Sequence, residues 1–301
     1  MATLTQKLPA NTPGDFFVDT SCIDCGTCRW MAPTIFNQQG DYATVYAQPQ
    51  DTHETEQALK ALLCCPTSSI GTTQKHPLRA LSNSFPTQIE DSVYHCGFHS
   101  ESTFGATSYL ITRPEGNILV DSPRFSPALL RSIERLGPVN LLFLTHKDDV
   151  GDHRRWAEEL GCDRLLHRGD ITPKLRAIEE QPDSRTPIEL AHDLILVPTP
   201  GHTRGSSCLL YDNRFLFSGD HLAFSLKQEK LIAFNTACWF DWNEQITSMK
   251  KLLDFEFEYI LPGHGAPCVL PKSTMRDQVK KCVEWMEGTP SIRRSNSSTA
   301  S

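Results

Sequence analysis

Cys22, Cys25 and Cys28 stand at a C-x2-C-x2-C spacing, and a Cys65-Pro66 pair follows a helical stretch farther along the chain. Three thiolates on one tight loop can hold three irons of a cubane while the fourth ligand comes from elsewhere in the chain. A zinc knuckle also uses cysteines at this spacing, but it leaves the Cys-Pro after the helix without a purpose. Cys64 adjoins Cys65 and competes with it as a ligand; the proline after Cys65 favours Cys65. Cys96, Cys162, Cys208, Cys238, Cys268 and Cys282 match no motif and read as ordinary buried thiols. The eleven cysteines are an odd number. That count and the clustering point to metal ligation in a reducing, cytoplasmic compartment rather than to a disulfide framework.

Four short segments carry a second set of donors. They are Thr145-His146-Lys147-Asp148-Asp149-Val150-Gly151-Asp152-His153, Pro200-Gly201-His202-Thr203, Gly219-Asp220-His221 and Pro262-Gly263-His264-Gly265. Each lies at the end of a predicted strand, and imidazole with carboxylate is a donor set for divalent metals. His221 could donate a proton, ligate, or face away. His95 and His99 lie on the approach to the first strand of the larger unit, whereas His53, His76, His167 and His192 have no supporting motif. Trp239-Phe240-Asp241-Trp242 reads as core or as a hydrophobic lid.

The elements that must position these groups follow from local pattern. Residues 54–63, rich in Ala, Leu, Glu, Gln and Lys, predict a helix that Cys65-Pro66 ends. Gln38-Gln39-Gly40-Asp41 is a turn between two short extended runs. Ser126-Pro127 supplies the N-cap and first position of a helix with apolar residues at Leu129, Leu130, Ile133 and Leu136. Further helices are expected over 152–160, with Gly161 as stop, over 243–253 and over 273–286. Strands are expected over 108–112, 117–121, 139–145, 194–197, 207–211, 214–218 and 259–261. The chain thus reads as a flexible leader (1–13), a first unit (14–75), a linker (76–92) containing Pro77 and Pro86, a second unit (93–288) and a disordered tail (289–301).

The cysteine motif, with Ala32-Pro33, Phe36 and Thr67-Ser68-Ser69-Ile70 around it, resembles single-cluster bacterial-type ferredoxins over about residues 14–75. The resemblance implies an α+β ferredoxin-like domain with a [4Fe–4S] cluster on Cys22, Cys25, Cys28 and Cys65. Ferredoxins of this group with three irons typically lack the middle ligand, and Cys25 is present. The four histidine and aspartate segments resemble the metallo-β-lactamase superfamily over about residues 93–288. That implies an αβ/βα sandwich of two mixed sheets packed face to face, with helices on both outer faces.

The family's first motif is H-x-H-x-D-H, and this chain lacks its second histidine and has two extra residues before Asp152-His153. By the family's pattern His146, Asp148 and His202 hold one metal, with Asp149 as a nearby substitute for Asp148. Asp152, His153 and His264 hold the other, and Asp220 bridges them. A carboxylate in place of an imidazole shifts preference from zinc toward iron or manganese. Flavodiiron proteins of the same superfamily also carry a carboxylate there, a glutamate without the insertion. The alternative is a degraded site holding one metal or none.

The net charge of −7 and the lack of a basic patch argue against a nucleic-acid partner. No apolar run approaches the ~20 residues of a membrane span, and no secretory signal is visible. Residues 14–75 hold seven acids and three bases, a balance that suits a basic redox partner protein or simply keeps the unit soluble. Three functions fit. The first is a metal-dependent hydrolase of a small-molecule ester, thioester or amide, with Asp152, Asp220 and His221 as catalytic candidates and one or two divalent metals. The second is an oxidoreductase passing electrons from the cluster to a mono-iron or di-iron site, within one chain or across a homodimer. The third is a non-enzymatic redox sensor.

Overall fold

A computed structural model describes residues 2–290. The chain divides into two compact units. The first holds the residues up to 166 together with 171–182 and 263–266; the second holds 167–170, 183–262 and the chain from 267 on.

The first unit opens with β1 (Phe16–Val18), α1 (Thr27–Met31), β2 (Phe36–Gln39), β3 (Tyr42–Val45), α2 (Thr52–Cys64) and β4 (Ile70–Thr72). β1 pairs with β4 and β2 with β3, both antiparallel. The Asp51 carboxylate accepts from the Glu54 amide and the Glu54 carboxylate accepts from the Gln50 amide, so two backbone donors around the start of α2 are satisfied. Pro66 holds Cys65 in extended backbone and stops the helix.

It continues with α3 (Leu78–Ser82), β5 (Thr87–Glu90), β6 (Val93–His95), β7 (Tyr109–Ile111), β8 (Asn117–Val120), α4 (Pro127–Arg135), β9 (Val139–Phe143), α5 (His153–Leu160) and β10 (Asp163–Leu165). These strands form one six-stranded sheet in the order β10-β9-β8-β7-β6-β5. β8, β9 and β10 run parallel, which requires the crossover helices α4 and α5. Those helices bury Leu129, Ile133 and Trp156 against Leu110, Leu119, Leu142 and Leu144 of the sheet, and Cys64 of α2 joins the same cluster.

The second unit has β11 (Ile188–Ala191), β12 (Leu194–Pro198), β13 (Ser207–Tyr211), β14 (Phe215–Gly219), β15 (Ala223–Ser225), β16 (Lys230–Ile232), α6 (Trp242–Lys251), β17 (Tyr259–Pro262), β18 (Cys268–Val269) and α7 (Lys272–Glu287). Its sheet runs β11-β12-β13-β14-β17-β18. The one parallel pair, β14 and β17, is bridged by α6. Trp242, Met249, Met275, Val279 and Met286 of α6 and α7 pack on Val197, Leu210, Leu216 and Ile260.

Two expected boundaries are corrected. The leader is packed: the Asn11 amide donates to the carbonyls of Leu8 and Val18, and its oxygen accepts from the amides of Val18 and Val45. A polar residue in a strand-poor stretch reads as loop, yet this one is 6% exposed and ties three chain segments together. The supposed linker contains α3 and the sheet-edge strand β5, which pairs with β6. Of the expected disordered tail, Thr289 and Pro290 are described and accept from Trp242 and Asn235; the rest lies outside the described residues.

Asn11→Ala would strand two buried backbone donors, so we expect a loss of about 1–3 kcal/mol in urea unfolding. A flexible leader would show no loss.

Candidate metal centres

The cysteine cradle is built by the loop before α1 and the end of α2. Cys22, Cys25, Cys28 and Cys65 line one small cavity with Thr67 and Ile70. Backbone and hydroxyl groups point at the sulfurs. The Cys22 sulfur accepts from the Asp24 amide at 3.4 Å, and the Cys65 sulfur from the Ser69 amide at 3.2 Å. Thr27 Oγ1 lies 3.4 Å from Cys25 Sγ. Burial pushes the Cys22 and Cys25 thiols up and the Cys28 thiol well up, because a lone thiolate there lacks solvent. Iron supplies the compensating charge, so this cradle suits a cluster. Cys64 faces the other way, into the core beneath the first sheet, where burial raises its thiol to about 12.

Every histidine and aspartate segment follows the C-terminal end of a strand: β9 before His146, β12 before His202, β14 before Asp220 and β17 before His264. In the first unit the proton positions can be deduced. The Asp121 carboxylate can only accept, so the Thr145 hydroxyl donates to it at 2.9–3.0 Å. Thr145 Oγ1 must then accept at its 3.0 Å contact with His146 Nδ1, which puts the lone pair on Nε2. His264 Nε2 donates to the Thr103 carbonyl at 3.1 Å, which puts its lone pair on Nδ1. Both of those nitrogens face the same carboxylate oxygen, Asp149 Oδ2, at 3.8 Å and 4.0 Å. These separations are too long for hydrogen bonds and suit donors around a common ion. A histidine that gives its other proton to a fixed acceptor is the usual support of a metal ligand.

Asp149 is buried, whereas Asp148 is exposed, although a carboxylate oxygen of each reaches within 4.8 Å of the His146 ring. Asp152 and His153, expected with His264, each make a further contact. Asp152 Oδ2 accepts from the Phe125 amide at 2.7 Å. His153 Nδ1 lies 3.4 Å from Arg164 Nη1, which can only donate, so the neutral ring carries its proton on Nε2. Desolvation, and then the Arg164 charge, lower the His153 pKa to about 4.

In the second unit His202 Nε2 and Asp220 Oδ2 are 3.6 Å apart, beyond hydrogen-bond distance from each other. The His202 loop is braced by residues 238–241: the Trp239 and Phe240 amides donate to the His202 carbonyl, and the Asp241 amide to that of Gly201. Gly201 has φ +153° and no room for a Cβ, which would sit 2.3 Å from Gln245 Cβ of α6. Asp170 accepts from the Thr203 hydroxyl at 2.6 Å and the Gly205 amide at 2.7 Å, fixing the far side of that loop. Neither Asp121 nor Asp170 was singled out from sequence; each is a lone aspartate whose partners are remote in the chain. His221 is buried with no hydrogen-bond partner on either ring nitrogen among the described residues. Desolvation, with the nearby His202 and Lys251 charges, lowers its pKa to about 3. Trp239 and Phe240 are exposed and Trp242 is core.

Residues 18–72 match the family model described as the 4Fe-4S single cluster domain of Ferredoxin I. The protein YobT of Bacillus subtilis (strain 168) is 26% identical over 219 residues, which are 59% of this chain and 91% of that one. Among solved structures, VMB-1 superposes with a TM-score of 0.51 at 17% identity, over 67% of this chain and 95% of its own. A metallo-β-lactamase from Hirschia baltica superposes with a TM-score of 0.50 at 16% identity, over 66% and 96%. The chain therefore joins a 4Fe–4S-type segment to a metallo-β-lactamase-like α+β fold. No helix among the described residues is long and apolar enough to cross a membrane.

We expect Cys65→Ala to lose the broad visible absorption of a cluster and Cys64→Ala to keep it; the reverse would refute the cradle described above. Asp149→Ala should lose bound divalent metal by elemental analysis, and Asp148→Ala should retain it.

Proposed function

We propose that the chain is a metal-dependent hydrolase of a small-molecule ester, thioester or amide, carrying a [4Fe–4S] cluster in its N-terminal segment on Cys22, Cys25, Cys28 and Cys65. The observation that carries the reading is the proton placement at His146 and His264: each gives its proton to a fixed acceptor and turns its lone pair to Asp149 Oδ2. The resident donors are His146, Asp149 and His264 in the first unit and His202 and Asp220 in the second. When bound, one or two divalent metals supply Lewis acidity and a water acidified toward neutral pH.

The protein's own groups hold the geometry. Asp121, through Thr145, fixes the His146 ring, and the Thr103 carbonyl fixes that of His264. His221 is neutral at physiological pH and fits a ligand rather than a proton donor, because burial disfavours its charged form. Asp152 Oδ2 accepts from the Phe125 amide, which orients the carboxylate expected from sequence to take part in catalysis.

A second reading, in which the cluster feeds electrons to the metal site, is favoured by one observation. The segment from His99 to Thr107 touches both: Gly105 lies against Cys25, and Thr103 and Thr107 hold His264 and Gly263. On either reading the acidic N-terminal segment suits a basic electron-transfer partner.

The test is hydrolysis of an ester and thioester panel by the full-length, metal-loaded chain, with and without dithionite. We expect turnover that His202→Ala and Asp220→Ala abolish together with bound metal, at unchanged thermal stability. Turnover that survives loss of the metal would refute the hydrolase reading. Oxygen or nitric oxide consumption by the reduced chain alone would establish the second.

A further inference from the structure

The buried contacts on the far side of the cysteine cradle belong to no motif. Thr27 Oγ1 lies 3.4 Å from Cys25 Sγ and 3.1 Å from His99 Nδ1. His99 Nδ1 also lies 2.9 Å from the Gly105 carbonyl, and His99 Nε2 lies 2.9 Å from His95 Nε2. Thr27, His99 and His95 are all buried. Trp30 closes the group, with its ring 5.3 Å from that of His95 and 6.4 Å from that of His99.

The proton positions in this chain of contacts follow from the groups that can only accept. The Gly105 carbonyl only accepts, so His99 carries its proton on Nδ1 and shares it between that carbonyl and Thr27 Oγ1. Burial, its largest effect, lowers the His99 pKa to about 4, so the ring is neutral and Nε2 is an acceptor. His95 Nε2 then donates to it. A cysteine that ligates iron is a thiolate and also only accepts. With its oxygen already accepting from His99, Thr27 turns its hydroxyl proton to the Cys25 sulfur. The alternative acceptor for that proton, the Gly105 carbonyl, lies at 3.5 Å, long for an O–H···O bond, whereas 3.4 Å is an ordinary length for a hydroxyl donating to the larger sulfur.

Gly105 presses the same segment onto the cradle. A Cβ at that position would lie 2.9 Å from Cys25 Cβ and 3.1 Å from Cys25 Sγ, and its φ of +88° favours glycine. The donor therefore sits under closely packed backbone, with Thr27 itself buried. Hydrogen bonds to the sulfurs and solvent exposure are among the factors that set the potential of an iron–sulfur cluster. A donor on a ligand sulfur stabilises the more negative, reduced cluster most, and so raises the potential.

We propose that Thr27 and His99 are positioning residues that set the reduction potential of the cluster, His99 aiming the Thr27 hydroxyl at the Cys25 sulfur. The proposal rests on the four-iron reading of the cradle. Its test is an EPR-monitored redox titration of the anaerobic full-length chain, with iron and sulfide counted first. Thr27→Val should shift the midpoint to more negative potential at unchanged cluster content, and Thr27→Ser should keep the original value. His99→Leu should shift it in the same direction by less, because the hydroxyl is released to the Gly105 carbonyl rather than deleted. A Thr27→Val midpoint equal to that of the original chain would overturn the proposal. Cluster loss in Thr27→Val but not in Thr27→Ser would overturn it too, in favour of a role in assembly. If the original chain itself holds no cluster, the four-iron reading fails instead.

Discussion

A buried imidazole can ligate a metal only through the nitrogen that lacks a proton, and in this chain backbone carbonyls and hydroxyls decide which nitrogen that is. His146 is set by Thr145, which Asp121 commits to donating, and His264 is set by the Thr103 carbonyl. The choice at His146 depends on the first sheet. Asp121 meets Thr145 because β8 and β9 run parallel in a register that carries Val120 alongside Phe143. A slip of one residue would turn the carboxylate to the opposite face and remove the constraint on His146.

The same logic organises the cysteine cradle, with sulfur as acceptor. Amides of Asp24 and Ser69 and the hydroxyl of Thr27 surround sulfurs whose thiol forms are favoured until iron arrives. Folding the cradle therefore prepays much of the ordering that a cluster needs, and binding releases protons. The segment from His99 to Thr107 then serves two supports at once. Its Gly105 end lies on Cys25 and its Thr103 carbonyl holds His264.

The candidate ligand residues stood out in sequence because cysteine and histidine at tight spacing are rare by chance, and because strand ends mark loops. Helices with strong caps were legible too: Ser126-Pro127 opens α4 as expected, and Pro66 closes α2. What escaped depends on contacts remote in the chain. Asp121 looks like the end of a strand, and its partner Thr145 lies just past the end of another, β9. Asn11 sits in a stretch with no pattern, and its four hydrogen bonds appear only once β1 and β3 are in place. Position 149 was open to two neighbouring aspartates in sequence, and burial separates them. The family pattern carries no information about the Phe125 amide and Arg164 that engage Asp152 and His153 here.

All of this requires that the two donor sets are loaded in the folded chain, and native mass spectrometry of the anaerobically purified, full-length protein reads that directly. The account expects a folded charge-state envelope whose mass exceeds the polypeptide by four irons and four sulfides, plus one or two further metal ions. A folded envelope at the mass of the bare polypeptide, or at the mass of the polypeptide with the cluster alone, would contradict it.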